Sequence, residues 1–194
     1  MNGDCRLTLA TPFGTVVASV GITGGGRASL AFVDPAKRRS LAGVPEVDRV
    51  IALTASLFAT APCRFRVALA LETPIGVDDF GPHSGENLEC VIHEGEAGAI
   101  ALAARDGCWL VDVVRHFGGP RTIAALDEDH CFGLIDGRGP DLVADLPGFE
   151  AGEALELPLS IAWTTQAGGR EQLSFAVWDA ADLALPWWPE SNER

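Results

Sequence analysis

Apolar residues recur at every second position in several separate stretches of this chain, and this spacing constrains its fold more than any other feature. In residues 63–71 five apolar side chains alternate with arginine or alanine, and in residues 155–163 five more alternate with small or polar residues. A period of two places all members of such a set on one face of a β-strand. The alternation therefore predicts half-buried strands in an antiparallel sheet.

Two glycine-rich segments near opposite ends of the chain resemble each other. Residues 25–27 and 168–170 both read Gly-Gly-Arg, and each is followed by a leucine and a phenylalanine two positions apart. We interpret each segment as the turn of an antiparallel hairpin, with return strands over residues 28–32 and 173–177. The similarity leaves open an alternative, an α+β fold with two pseudo-equivalent halves that arose by duplication.

One stretch has helical rather than strand spacing. Apolar residues and one threonine fall at the i, i+3, i+4, i+7 positions of residues 45–60, and Pro45 suits the first helical position. Further strands are expected at 5–9, 16–22, 88–93, 97–104, 108–114 and 131–135. The predicted fold class is mainly β: an antiparallel β-sandwich or barrel-like domain with one packed α-helix at about residues 45–60. We expect one β-rich domain over residues 1–182 and a tail containing tryptophan and proline over residues 183–194.

The chain is strongly acidic, with 27 acidic and 14 basic residues and a formal net charge of −13. An excess of carboxylates disfavours binding to nucleic acid or to an anionic membrane and is compatible with a basic protein partner. No apolar run reaches the roughly 18 to 20 residues that a transmembrane helix needs. The acidic, polar start of the chain lacks the features of a secretory leader, so we expect a cytoplasmic protein. A single lysine and no tyrosine suggest a bacterium with a GC-rich genome.

Five cysteines lie scattered along the chain without any CxxC pair. Because the number is odd and the cysteines lie mostly in apolar runs, we expect buried free thiols rather than a disulfide framework.

The densest group of residues capable of acid/base or metal chemistry lies at 72–86. Glu72, Asp78, Asp79 and His83 are the candidate catalytic residues, because carboxylates and an imidazole can act as general acids and bases. Asp78, Asp79, His83 and Glu86 are the candidate ligands for a hard metal ion. Their spacing matches no established metal-binding motif.

Aromatic residues near the C-terminus are the candidate partner-binding residues, namely Trp178, Trp187 and Trp188. With no catalytic motif and with excess negative charge, the sequence favours a non-enzymatic acidic protein that binds another protein, a basic one by charge complementarity. An inhibitor, an immunity factor or an assembly factor would fit, and no cofactor is expected. Two alternatives remain: a metal-assisted or acid/base enzyme that uses residues 72–86, and a β-barrel that binds a small apolar ligand. The sequence leaves the oligomeric state open.

Overall fold

The computed structural model describes residues 4–33, 47–85, 87–166 and 170–183. In this part of the chain, nine strands form one antiparallel sheet that is accompanied by four helices. The strands are β1 (Cys5–Thr11), β2 (Gly14–Phe32), β3 (Arg49–Glu72), β4 (Asp79–Gly85), β5 (Leu88–Gly95), β6 (Gly98–Arg105), β7 (Ile135–Arg138), β8 (Asp141–Asp145) and β9 (Ala154–Thr164). The helices are α1 (Gly107–Phe117), α2 (Arg121–Ala124), α3 (Glu128–Cys131) and α4 (Arg170–Leu183).

The long strand β3 is the centre of the sheet. The strand order is β1-β2-β3-β9-β6-β5-β4, and the β7–β8 hairpin joins through pairing of β8 with β3. On one side β3 pairs with β2 over most of its length. On the other side its first half pairs with β9 and a short part of its second half with β8. Strands β1 and β4 form the two ends of the main strand order.

Each face of the sheet has its own apolar layer. On the inner face, side chains such as Val20, Leu69 and Leu102 pack with Leu110 of α1 and Ile135 of β7 in the main core. On the outer face, α4 packs over β5, β6 and β9. The strands contribute small residues there, among them Ala99, Ala101, Ala103 and Ala162, which let the helix lie close to the sheet.

The prediction of a mainly β, antiparallel fold is confirmed. The helix predicted at about residues 45–60 is wrong, because residues from Arg49 onward belong to strand β3. The first half of β3 is covered on both faces: Leu53 lies in the main core, whereas Ala52 packs against Ala180 of α4. Because apolar residues occur on both faces of this half of β3, its sequence does not alternate. The spacing of its apolar residues resembles that of an amphipathic helix.

The two Gly-Gly-Arg segments do not form matching hairpins. Gly25 and Gly26 lie inside the continuous strand β2, at a register shift where its backbone passes close to β3. Gly24 has a φ of +104°, and a Cβ there would lie 2.5 Å from the Pro62 carbonyl oxygen, so this position requires glycine. Arg170, in contrast, begins helix α4, so the return strand predicted at 173–177 is wrong. Residues 28–32 lie in strand β2 and residues 173–177 lie in helix α4, and this difference removes the basis for two equivalent halves.

Two further predicted strands are also wrong. Residues 108–114 belong to helix α1, and residues 131–135 run from the end of α3 to the start of β7. The expectation of free thiols alone is wrong as well, because Cys108 and Cys131 form a disulfide that ties α1 to α3. Cys5, Cys63 and Cys90 are free. Burial raises the pKa of the Cys63 thiol and therefore disfavours its nucleophilic thiolate form.

Candidate interaction surface

Helix α4 presents aromatic side chains to solvent. Leu173, Ala176, Val177 and Ala180 follow helical spacing and are buried against the sheet. Phe175 and Trp178, three positions apart on the helix, remain 59% and 39% exposed. We call these two residues, together with Arg105, which lies against Trp178, the aromatic surface. Exposed aromatic residues of this kind are enriched where proteins contact one another.

Arg105 holds the indole of Trp178 in place. It is the last residue of β6, it lies on the face of the sheet that α4 covers, and it is only 3% exposed. Its guanidinium carbon lies 4.5 Å from the centroid of the Trp178 ring and 5.6 Å from that of Trp109. Stacking of a desolvated guanidinium on indole rings is worth up to about 2 kcal/mol. This stacking therefore restricts the orientation of the partly exposed Trp178 indole.

The start of α1 positions the second indole. Asp106 is the N-cap residue of α1, and its Oδ1 accepts a hydrogen bond of 2.7 Å from the Trp109 backbone N–H. The cap fixes the first turn of the helix directly after β6, which brings Trp109 beside Arg105.

Asp106 also belongs to a negatively charged region. Burial raises the pKa of the Glu89 carboxyl, and the nearby charges of Asp106 and Asp136 raise it further, while a hydrogen bond from Ser84 lowers it. The Ser84 hydroxyl donates that bond to Glu89 Oε2 at 2.9 Å. The carboxylates of Glu89, Asp106 and Asp136 are therefore close enough to interact near the end of β6.

The candidate catalytic residues from the sequence do not come together. Glu72 ends β3 and forms an exposed ion pair with Arg6 of β1 at 2.7 Å. The backbone N–H of Asp78 donates to the Glu94 carbonyl oxygen, and the side chain of Asp79 accepts a hydrogen bond from the Phe80 N–H. His83 lies on β4, where it pairs in register with Cys90. These residues take part in local ion pairing, strand pairing and turn formation.

The predicted metal ligands also do not form one cluster. Asp79 and His83 are both on β4, and four residues of extended strand span about 13 Å, which is too far for one ion. Among the residues that the structure describes, no group of three or more histidine, cysteine, aspartate or glutamate side chains could hold a metal ion. Glu86, Trp187 and Trp188 lie outside the described residues, so these predicted positions have no structural account.

The sequence did not single out Arg105, Trp109 and Phe175. The signal for Phe175 was available, because residues 173, 176, 177 and 180 have the spacing of a buried helical stripe and leave Phe175 and Trp178 together on the opposite side. The stacking of Arg105 on Trp178 had no local signal, since it joins residues from distant parts of the chain.

No protein-family model matches this chain, and no curated protein matches it. Among solved structures, a putative kojibiose phosphorylase from the human microbiome is similar, with a TM-score of 0.42 and 10% sequence identity. The match covers 92% of this chain and 21% of that one, so this chain spans about a fifth of the length of that protein. A similarity at this level supports no conclusion about function. Within the described ranges, no helix is long and apolar enough to cross a membrane.

Proposed function

We propose that this protein acts by binding another protein, with the exposed Phe175 and Trp178 of the aromatic surface as the contact site and with Arg105 supporting Trp178. The observation that carries the proposal is the pair of exposed aromatic side chains on α4, one of them held on a buried guanidinium. A rigid aromatic side chain loses little conformational entropy on binding and buries a large apolar area. Such residues often contribute most of the binding energy of an interface.

The partner is a protein with a basic rim around an apolar pocket. The chain carries a net charge of −13, and the sequence of α4 itself holds three acidic residues and one arginine. A strongly acidic protein attracts a positively charged partner, and this attraction raises the association rate at low salt. The negative charge of this chain would also repel acidic proteins and so disfavour their binding. An inhibitor, an immunity factor or an assembly factor remains the functional type that fits.

The test begins with capture of a partner from the source organism at low salt, followed by its identification and purification. Binding is then measured by isothermal titration calorimetry with wild-type protein, the Phe175→Ala variant and the Phe132→Ala variant. Phe132 is 63% exposed but lies at the end of α3, so its replacement is a matched control. Neither change should alter the fold, because exposed side chains contribute little to stability.

We expect Phe175→Ala to weaken binding about tenfold or more and Phe132→Ala to leave it unchanged. Affinity should fall when salt is raised from about 50 to about 300 mM, since the longer-range charge interactions are then screened. Equal affinities for the two variants would place the interface elsewhere and refute this surface. A partner that is acidic overall, or an affinity that does not change with salt concentration, would refute the prediction of a basic partner.

A further inference from the structure

A second surface feature lies far along β3 from the aromatic surface. It is a groove of about 660 Å³ between β2, β3 and the segment that follows β8. Ala52 of β3 packs beneath α4, whereas the groove residues Arg64 and Arg66 lie 12 and 14 residues further along the strand, beyond the register shift between β2 and β3. A ligand in this groove would therefore use residues that the aromatic surface does not.

Strand pairing brings the charged groups of the groove together. Phe65 points into the core, so its neighbours Arg64 and Arg66 share the opposite face of β3. Across the sheet, Thr23 pairs with Arg64, and Gly21 pairs with Arg66. On the other side Asp145 of β8 pairs with Arg66. Because Gly21 has no side chain, space remains beside the Arg66 guanidinium.

Three guanidinium groups lie in and beside this groove. Asp145 accepts a hydrogen bond from Arg66 at 3.3 Å, and its second oxygen pairs with Arg138. The side chain of Arg64 is exposed and forms no ion pair or hydrogen bond with any described residue. One guanidinium offers five N–H donors, and Asp145 uses only part of those on Arg66. Donors on both groove arginines thus remain for an incoming anion.

The wall of the groove is partly apolar. Leu134, Leu146 and Pro147 contribute to its lining, which also includes the acidic residues Asp4 and Asp145. A volume of about 660 Å³ is within the range of sites that hold small organic molecules, roughly 300 to 1,000 Å³. The groove thus contains guanidinium donors that can bind an oxyanion together with apolar residues that can contact a small organic group.

We propose that this groove binds a small organic anion, a phosphate or carboxylate group on a compact apolar body, with Arg64 and Arg66 holding the oxyanion. Guanidinium groups match the planar carboxylate and the phosphate with paired hydrogen bonds. The net charge of −13 argues for a small ligand, because a polyanion would extend beyond the groove onto an acidic surface. The proposal does not depend on the protein-binding function.

The test uses phenyl phosphate, benzoate and inorganic phosphate as probes, and heparin as a polyanion for comparison, with binding followed by NMR chemical shifts and calorimetry. Arg64→Gln removes one of the two anchors. Gly21→Leu keeps every charge and fills the open space, since a Cβ at Gly21 meets only the Arg66 carbonyl oxygen, at 3.9 Å. The matched control is Arg121→Gln, which removes an arginine that is 82% exposed, pairs with Glu153 and does not line the groove.

We expect phenyl phosphate or benzoate to bind the wild type, with affinity reduced about tenfold or more by Arg64→Gln. Gly21→Leu should reduce it similarly, and Arg121→Gln should leave it unchanged. A preference for phenyl phosphate would assign a phosphate ligand, and a preference for benzoate a carboxylate ligand. Inorganic phosphate should bind more weakly than phenyl phosphate, because it cannot contact the apolar wall.

Three results would overturn the proposal. The first is the absence of binding by either organic probe at millimolar concentration. The second is an equal loss of affinity in Arg64→Gln and Arg121→Gln, which would show a general charge effect. The third is tighter binding of heparin than of phenyl phosphate together with no effect of Gly21→Leu, which would identify an open surface for polyanions.

Discussion

The disulfide between Cys108 and Cys131 allows a quantitative prediction about stability. It closes a loop with a sequence separation of 23 residues that contains α1, α2 and α3. In the chain-entropy model, a loop of this length lowers the entropy of the unfolded chain by about 11 cal/mol/K. That corresponds to about 3 kcal/mol of stabilisation at 25 °C. For a chain of this size the melting temperature should change by about 6–12 °C.

The assay is urea denaturation with and without reductant. Reduction should lower the free energy of unfolding of the wild type by about 3 kcal/mol. The double variant Cys108→Ala/Cys131→Ala should show no response to reductant. Cys5→Ala is the matched control, because Cys5 is a free thiol and this variant should respond to reductant as the wild type does.

A count of thiols provides an independent check. Oxidised protein titrated in denaturant should show three free thiols, those of Cys5, Cys63 and Cys90. Five titratable thiols would mean that the cross-link does not form. With the cross-link present, an effect of reduction smaller than about 1 kcal/mol would refute the entropic argument, because the loop length alone requires more.

Three further predictions concern buried residues. His93 is 3% exposed and burial lowers its pKa below 6.5, so the unfolded chain takes up a proton first as pH falls. The free energy of unfolding should then decrease as pH falls from about 6.5 towards the lowered pKa, and urea titrations should show a shallower decrease for His93→Gln. Asp106→Ala should lower the free energy of unfolding by about 1 to 2 kcal/mol in the same assay, because it removes the N-cap of α1. Asp106→Asn should retain most of the stabilisation, because asparagine is also a good N-cap residue. Phe149 is 1% exposed and packs edge-on against Phe65 with centroids 4.9 Å apart, so Phe149→Ala should cost about 3–5 kcal/mol; a cost below 1 kcal/mol would contradict this packing.

The sequence predicted strands correctly where one face of a strand is buried and the other is exposed. The second half of β3 shows this, because Phe65, Val67 and Leu69 are buried between exposed or half-buried neighbours. In the first half of β3 both faces are buried, so the pattern along the chain no longer reports the strand period. The spacing of apolar residues along the chain cannot distinguish a short strand that is buried on both faces from an amphipathic helix.

Helices α1 and α4 were missed for different reasons. Asp106-Gly107 has the composition of a hairpin turn, but Asp106 instead caps α1. In α4, Leu173 and Val177 are buried while Phe175, between them, is exposed by its position on the helix. The strand was predicted because Leu173, Phe175 and Val177 are apolar at every second position, which required all three to be buried on one face. The aromatic surface could not be assembled from the sequence, because its arginine and its tryptophan come from β6 and α4.

The pairing of β3 with β9 determines when this fold can form during synthesis. Ser56 and Glu156, joined by a hydrogen bond across these strands, are 100 residues apart in the chain. At a translation rate of about 5–20 residues per second, a ribosome needs roughly 5–20 s to make the residues between them. During that time one side of β3 lacks its partner, and an unpaired apolar strand readily pairs with other chains. The yield of folded protein therefore depends on how quickly β9 follows β3, and slower translation of this interval favours aggregation.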